Sequence, residues 1–305
     1  MITRYRHKNL VWIDLEKPTQ EEVRLIMEEF SINPLVAEEL LTPTLKPKVD
    51  FYQDYIYLIL HFPAFKHTHL SEQTNQEVDF IIGKHFLIIT RYDTIDPLHK
   101  FSKVFEVNSI LDRSNMGDHA GYLFFYMIKK LYKALDHELD SLRDGLNLIE
   151  SGIFEGNEKD MVVEISKVSR DLLNFKQATS PHQDVLDSFE EAGKQFFGPG
   201  FIYHLKSVTG EYFRIHHEIH ELSDSIIELR ETNNSLLSTK QNEVMKTLTI
   251  MAFVTFPLSL IASIFGMNTE NIPFVGRNYD FWIVIGLMGL LTLSFFIYFK
   301  KNKWL

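Results

Sequence analysis

The chain has 305 residues, 24% of them charged and 45% hydrophobic, with a formal net charge of −10 and no cysteine. This composition excludes a disulfide framework and a thiolate metal site, and the lack of a basic cluster in the charged part of the chain argues against nucleic acid as a partner. The length suits about two domains, and the acidity either keeps a body soluble or attracts cations.

The N-terminus, Met1-Ile2-Thr3-Arg4-Tyr5-Arg6, runs into charged sequence without an apolar signal region, so a large domain is expected to stay in the cytosol. From Asn9 to about Asp93 short β-rich runs mix with helical pieces. Leu10-Val11-Trp12-Ile13-Asp14-Leu15 reads as a strand, and Pro18-Thr19-Gln20-Glu21-Glu22 opens an amphipathic helix. Tyr55 to Leu60, Val78 to Ile82 and Phe86 to Thr90 read as further strands, the last two joined as a hairpin through Gly83-Lys84-His85. The pattern predicts a small mixed sheet with helices, an α+β domain.

After Gly117 the strand signal ends, and helices are expected over roughly Asp118 to Ser151, Lys159 to Gln177 and Gln183 to Phe196, punctuated by Gly152, Gly156, Pro181 and Gly198-Pro199-Gly200. From Leu205 the apolar positions run Val208, Tyr212, Ile215, Ile219, Leu222, Ile226 and Leu229, then Asn233 and Leu236, a heptad seam with one polar interruption that suits a register-setting role. No glycine or proline falls between Tyr212 and Phe256, so a rod from Phe201 to Phe265 would span roughly 100 Å. Its seam packs either on the chain's own helices or on copies of itself around an axis.

Two uncharged runs close the chain, one between Lys246 and Glu270 and one between Asp280 and Lys300, each long enough to cross a bilayer. Lys246 before the first, and Lys300, Lys301 and Lys303 after the second, place both termini in the cytosol, with Trp282, Tyr298 and Trp304 near the interfaces. At about 100° per residue, Asn242, Met245, Thr249, Ala252, Phe256, Ser259 and Ser263 share one small, weakly polar stripe of the first run. Such a stripe is either a helix-packing face or a pore lining, and this one points toward Asn268, where the helix ends. Two spans per chain do not enclose a water-filled path, so transport requires several subunits. Glu270 either concentrates cations at that mouth or marks the membrane boundary.

Asn242-Glu243-Val244-Met245-Lys246, followed by Leu248-Thr249-Ile250, Pro257-Leu258, Gly266-Met267-Asn268 and the terminal Tyr298-Phe299-Lys300-Lys301-Asn302-Lys303-Trp304-Leu305, resembles the CorA family of divalent-cation transporters. Trp12 to Leu15 with Pro18-Thr19, and Lys46 to Phe51, also look like family segments. The resemblance implies a homopentamer in a lipid bilayer with Mg2+ as usual cargo, Co2+ and Ni2+ as further cargoes, and no organic cofactor. It also implies an α/β/α cytosolic domain over residues 1–200, a stalk helix over 201–246 and a pore helix over 247–268. An extracytoplasmic loop over 269–280, a second span over 281–299 and a basic cytosolic tail over 300–305 complete the expected order, the membrane being a bacterial inner membrane.

Carried over position by position, a ring of Asn268 side chains would hold hydrated Mg2+, which gives up its water reluctantly. Gly266 would let the chain turn and Met267 would pack the turn. Asn242 would line the cytosolic end of the pore, and Met245 and Leu248 would form an apolar constriction. Phe256 and Ser259 stand where family members often carry Met and Thr, and Phe265 and Thr269 where they carry Tyr and Phe. The loop after Asn268 lacks the usual Met-Pro-Glu-Leu segment. Ser207 falls where members carry a stalk aspartate of a regulatory Mg2+ site; Glu211, Glu72 and Glu77 are the candidate replacements.

His216 and His220, four apart on the stalk, have a spacing that chelates Zn2+, Co2+ or Ni2+ when a third ligand is present. They keep a Zn2+ transporter of the same superfamily as the alternative, while His67 and His69 lie in a polar loop. Asp136, His137, Glu138, Asp140 and Asp144, mixed with Lys133 and Arg143, read as a charged exposed face or as a cation reservoir. No phosphate-cradling loop or nucleophile constellation supports an enzyme, so passive conduction is expected. A membrane-tethered coiled-coil scaffold would explain the stalk and the hairpin but not the stripe or Asn268.

Overall fold

Apolar, β-branched runs form the middle of a six-stranded sheet, and charged segments form its two edges. The computed structural model describes residues 1–64, 75–110, 117–267, 279–302 and 304, with the backbone alone over 107–110. Its strands are β1 (Ile2–His7), β2 (Leu10–Glu16), β3 (Lys48–Phe51), β4 (Tyr55–Pro63), β5 (Asn75–Gly83) and β6 (Phe86–Arg91). They lie in the order β1-β2-β6-β5-β4-β3, antiparallel throughout except for the parallel pair β2 and β6. The four expected strands are present and each extends further than its apolar run. The edges β1 and β3 were not expected, because Arg4, Arg6, Lys48 and Asp50 interrupt any apolar alternation there.

The chain divides into two units, Met1–Arg230 and Glu231–Leu305. In the first, helices α1 (Gln20–Phe30) and α2 (Pro34–Glu39) cover one face of the sheet, closing a core with Ile13, Leu15, Val23, Ile26, Val36, Leu40, Ile59, Ile81 and Ile88. Thr19 caps α1 by accepting from the Glu22 amide while the Glu22 carboxylate accepts from Thr19 N–H, a reciprocal box. The other face is covered by α3 (Asp96–Ile110), α4 (Ala120–Phe154), α5 (Glu158–Thr179) and α6 (His182–Phe197). Aromatic rings seal that layer: Trp12 against Phe101 and Phe105, Phe80 against Phe124, and Phe62 against His182. The result is the expected α/β/α sandwich.

Helix α7 runs from Ile202 to Phe265, and its residues to Arg230 belong to the first unit. There the seam residues Leu205, Val208, Tyr212, Ile215, Ile219, Leu222 and Ile226 are buried within the chain itself. Of the two arrangements open from the sequence, this unit shows packing on the chain's own helices. Leu205 lies against Gly193 of α6, where an added Cβ would meet Leu205 Cδ1 at 2.8 Å, and Tyr212 lies beside His182. The second unit holds the rest of α7, with Pro257 inside it, and α8 (Asp280–Lys301).

Candidate ion-conduction segment

Along α7 of the second unit, the side chains change from a seam to an open surface. Asn242, Met245, Leu248, Phe256, Ser259 and Ser263 are exposed and Thr249 and Ala252 half-buried, with Phe256 73% accessible. Both apolar helices are long enough to span a bilayer, and their apolar windows are 0% buried by the chain. An apolar surface of this extent must meet lipid or protein. Thr249 Oγ1 donates to the Met245 carbonyl at 2.8 Å, so its hydroxyl hydrogen is turned into the helix and the oxygen lone pairs stay outward, the polarity a cation requires. Thr247 and Thr255 make the same back-bond to Glu243 and Met251.

The helix ends at Phe265 in a tight turn: Gly266 N–H donates to Ala262 O at 3.0 Å and Met267 N–H to Ile264 O at 3.4 Å. A Cβ on Gly266 would lie 3.1 Å from the Ala262 carbonyl oxygen, tighter than nine in ten real Cβ contacts. Met267 is exposed. Asn268 and Glu270 lie outside the described residues. On α8, Asp280 at the first turn accepts from the Phe281 amide at 2.7 Å and Lys300 and Lys301 occupy the last turn, charges that complement the helix dipole. Trp282, Tyr298 and Trp304 are exposed near the ends, and Trp304 stacks on Phe299.

The regulatory candidates separate. Glu72 lies outside the described residues. Glu77 was expected in the loop before the hairpin and instead sits in β5, buried, where it accepts from Thr44 N–H at 2.7 Å and from His61 Nε2 at 3.0 Å. Glu211 pairs with Lys129 of α4 at 3.2 Å and with Arg214 at 3.4 Å. Ser207 is half-buried.

Two acidic residues of α4 form ion pairs, Asp136 with Arg214 and Asp140 with Arg143, and Arg143 pairs in turn with Glu218 of α7. Burial raises the Glu218 carboxyl, with Arg143 opposing the shift. His216 and His220 stand with ring centroids 4.6 Å apart and His216 stacked on Tyr212. Burial first, and the neighbouring His220 second, lower the His216 pKa. Among the described residues no group of three metal-ligating side chains converges, and His67 and His69 lie outside them.

Sequence reasoning missed a buried polar relay through the first unit. Tyr132 hydroxyl donates to His182 Nδ1 at 2.8 Å, and His182 Nε2–H donates to the backbone carbonyl of His61 at 2.7 Å. The imidazole is therefore held neutral, and burial pushes its pKa down to about 4. The partners are 50 and 121 residues apart, so no local spacing announces them.

A family profile described as CorA-like Mg2+ transporter protein matches residues 7–301. A cobalt/magnesium transport protein CorA of Thermotoga maritima is 27% identical over 295 residues, covering 96% of this chain and 83% of its own. The complete structure of the CorA magnesium transporter from Methanocaldococcus jannaschii superposes with a TM-score of 0.84 at 19% identity, covering 99% of this chain and 93% of that one. The ZntB cytoplasmic domain from Vibrio parahaemolyticus superposes with a TM-score of 0.63 at 14% identity over 76% of this chain and 89% of that one, a likeness of fold.

Proposed function

The chain belongs to the family of CorA-like Mg2+ transporter proteins, and on that premise we propose that it assembles as a homopentameric channel that admits Mg2+ passively down the membrane potential. Divalent-cation transport goes with the family. The observation that supports the channel reading is the open face of α7 carrying Asn242, Met245, Thr249, Phe256, Ser259 and Ser263 in a chain with two apolar helices. Two helices do not enclose water, so that face lines a path when copies surround an axis.

In this reading Asn268, following the turn at Gly266 and Met267, supplies a ring of neutral oxygens that holds the ion through its water shell. Met245 and Leu248 form the apolar constriction and Asn242 the inner mouth. The lysines flanking the spans place both termini in the cytosol, across a bacterial inner membrane. Regulation by cytosolic Mg2+ rests on acidic interfaces; Glu77 is engaged by Thr44 and His61, and Glu211 by Lys129 and Arg214.

A divalent ion gains about 4.6 kcal/mol per 100 mV of inside-negative potential, enough for uptake without ATP. The test is flux into liposomes holding the purified protein. Mg2+ entry driven by potential alone and abolished by Asn268→Ala is the expected result. Flux of Zn2+ alone, or flux that requires a pH gradient, would move the protein to a zinc-transporting role, and unchanged flux in Asn268→Ala would remove the proposed filter.

A further inference from the structure

Strand β5 turns two carboxyl groups, Glu77 and Asp79, onto the sheet face that α1 and α2 cover, and leaves them 5% and 1% exposed. Glu77 is saturated with donors: Thr44 N–H at 2.7 Å, Thr44 Oγ1 at 3.2 Å and His61 Nε2 at 3.0 Å. Asp79 is not. The Tyr92 hydroxyl reaches its Oδ2 at 3.1 Å, and its Oδ1, buried, receives no hydrogen bond among the described residues. A buried carboxyl with one oxygen unpaired, two residues from a second buried carboxyl on the same strand face, is disfavoured as an anion and holds its proton.

We propose that Asp79 carries a proton in the folded protein, and that this proton fastens residues 40–47 to the sheet, so that the hold on this segment depends on pH. Thr44 is gripped by Glu77 as described. Tyr92 has one hydroxyl hydrogen for three oxygens, those of Asp79, the Glu39 carbonyl at 3.2 Å and the Thr42 carbonyl at 3.3 Å. With Asp79 neutral, that hydrogen serves the backbone carbonyls. Ionised Asp79 draws it away from the segment and repels Glu77, the residue that holds Thr44.

The titratable and charged groups around the pair are Tyr57 and His61 from β4, Tyr92 just after β6, Glu39 at the end of α2, and Lys48 and Asp50 from β3. The Lys48 ammonium lies 2.8 Å from each of the Glu39 and Asp50 carboxylates and is committed to them, while α1 buries the apolar Val23 and Ile26.

Burial first, and the Glu77 charge second, hold the Asp79 carboxyl well above the ordinary aspartate value. His61 shifts the same way: burial opposes its charge, but the hydrogen bonds to Glu77 and Thr44 outweigh that and raise it above 6.5. Both groups bind their protons more tightly folded than unfolded. Their contribution to holding the segment is therefore complete below the unfolded values, 3.8 for Asp79 and 6.5 for His61, and is lost as pH rises through the raised ones.

The experiment follows amide exchange of residues 40–47 in the full-length protein in detergent as pH rises from 6.5, corrected for the intrinsic chemical rate, alongside the infrared carbonyl band of protonated carboxyl groups. The expected result is a loss of protection in the wild type of up to about tenfold per pH unit for each of the two groups. In Asp79→Asn, which keeps the shape without an ionisable proton, that loss should shrink to what His61 alone contributes, and a protonated-carboxyl band should disappear. Protection that does not change with pH in the wild type overturns the proposal. The infrared reading stands even if Asp79→Asn fails to fold: absence of a protonated-carboxyl band in the wild type overturns it.

Discussion

The two units solve the problem of apolar surface in opposite ways. In Met1–Arg230 the rings and branched side chains are buried by the chain itself, and Trp12, Phe62, Phe80 and Ile215 have no accessible surface. In Glu231–Leu305 side chains of the same kind, Phe256, Leu260, Leu290 and Phe296, are more than half exposed. The first unit is a self-sufficient core; the second leaves its apolar surface to be covered by lipid or by other protein. A transporter of this family requires both, a body stable in water and helices whose surfaces are completed by the membrane.

That contrast can be broken most directly by truncating one large side chain in each unit. Trp12→Ala removes a fully buried ring that touches Tyr5, Phe101 and Phe105 and should lower the unfolding free energy of the first unit by about 3–5 kcal/mol. Phe256→Ala should leave that unfolding within about 0.5 kcal/mol of the wild type and act on conduction. Denaturant titration of the two variants in the same detergent checks both values.

A smaller effect follows from His182. Its folded pKa is depressed to about 4 from 6.5, so the stability it contributes is complete above 6.5 and lost as pH falls through the folded value. Thermal unfolding should show an acid limb worth about 3 kcal/mol from this group, and His182→Gln should lose that limb. The smallest effect belongs to the charges between α4 and α7. Arg143, about half exposed, bridges Asp140 and Glu218, and Arg143→Ala should cost about 1 kcal/mol or less. A larger loss would mean that charge, rather than the buried seam, holds α7 in the first unit.

Much of this was legible in the sequence because the signals were local. The apolar runs of β2, β4, β5 and β6, the spacing from Leu205 to Ile226 and the two uncharged C-terminal runs each sit within one element. The edges β1 and β3 were not legible, since an edge strand with Arg4 paired to Glu29 and Lys48 paired to Glu39 has no apolar face to announce. Helix α2, of six residues, is too short to show a period, and α3 went unread. Nor could spacing reveal that Glu77 is a buried anchor, because its partners Thr44 and His61 come from other elements. The stripe on α7 was legible by helical period; its role as a pore lining is a proposal that a single chain does not test.

Because the chain has no cysteine, the proposed conducting face can be mapped residue by residue. The decisive measurement is Mg2+ flux through liposome-embedded Ser259→Cys, Ser263→Cys and Ile261→Cys, before and after a charged thiol reagent. Ser259 and Ser263 lie on the stripe, and Ile261 lies on the opposite side of the same helix. Modification should block flux at Ser259→Cys and Ser263→Cys and spare it at Ile261→Cys. Equal block at all three, or block at Ile261→Cys alone, would contradict a conducting role for the stripe.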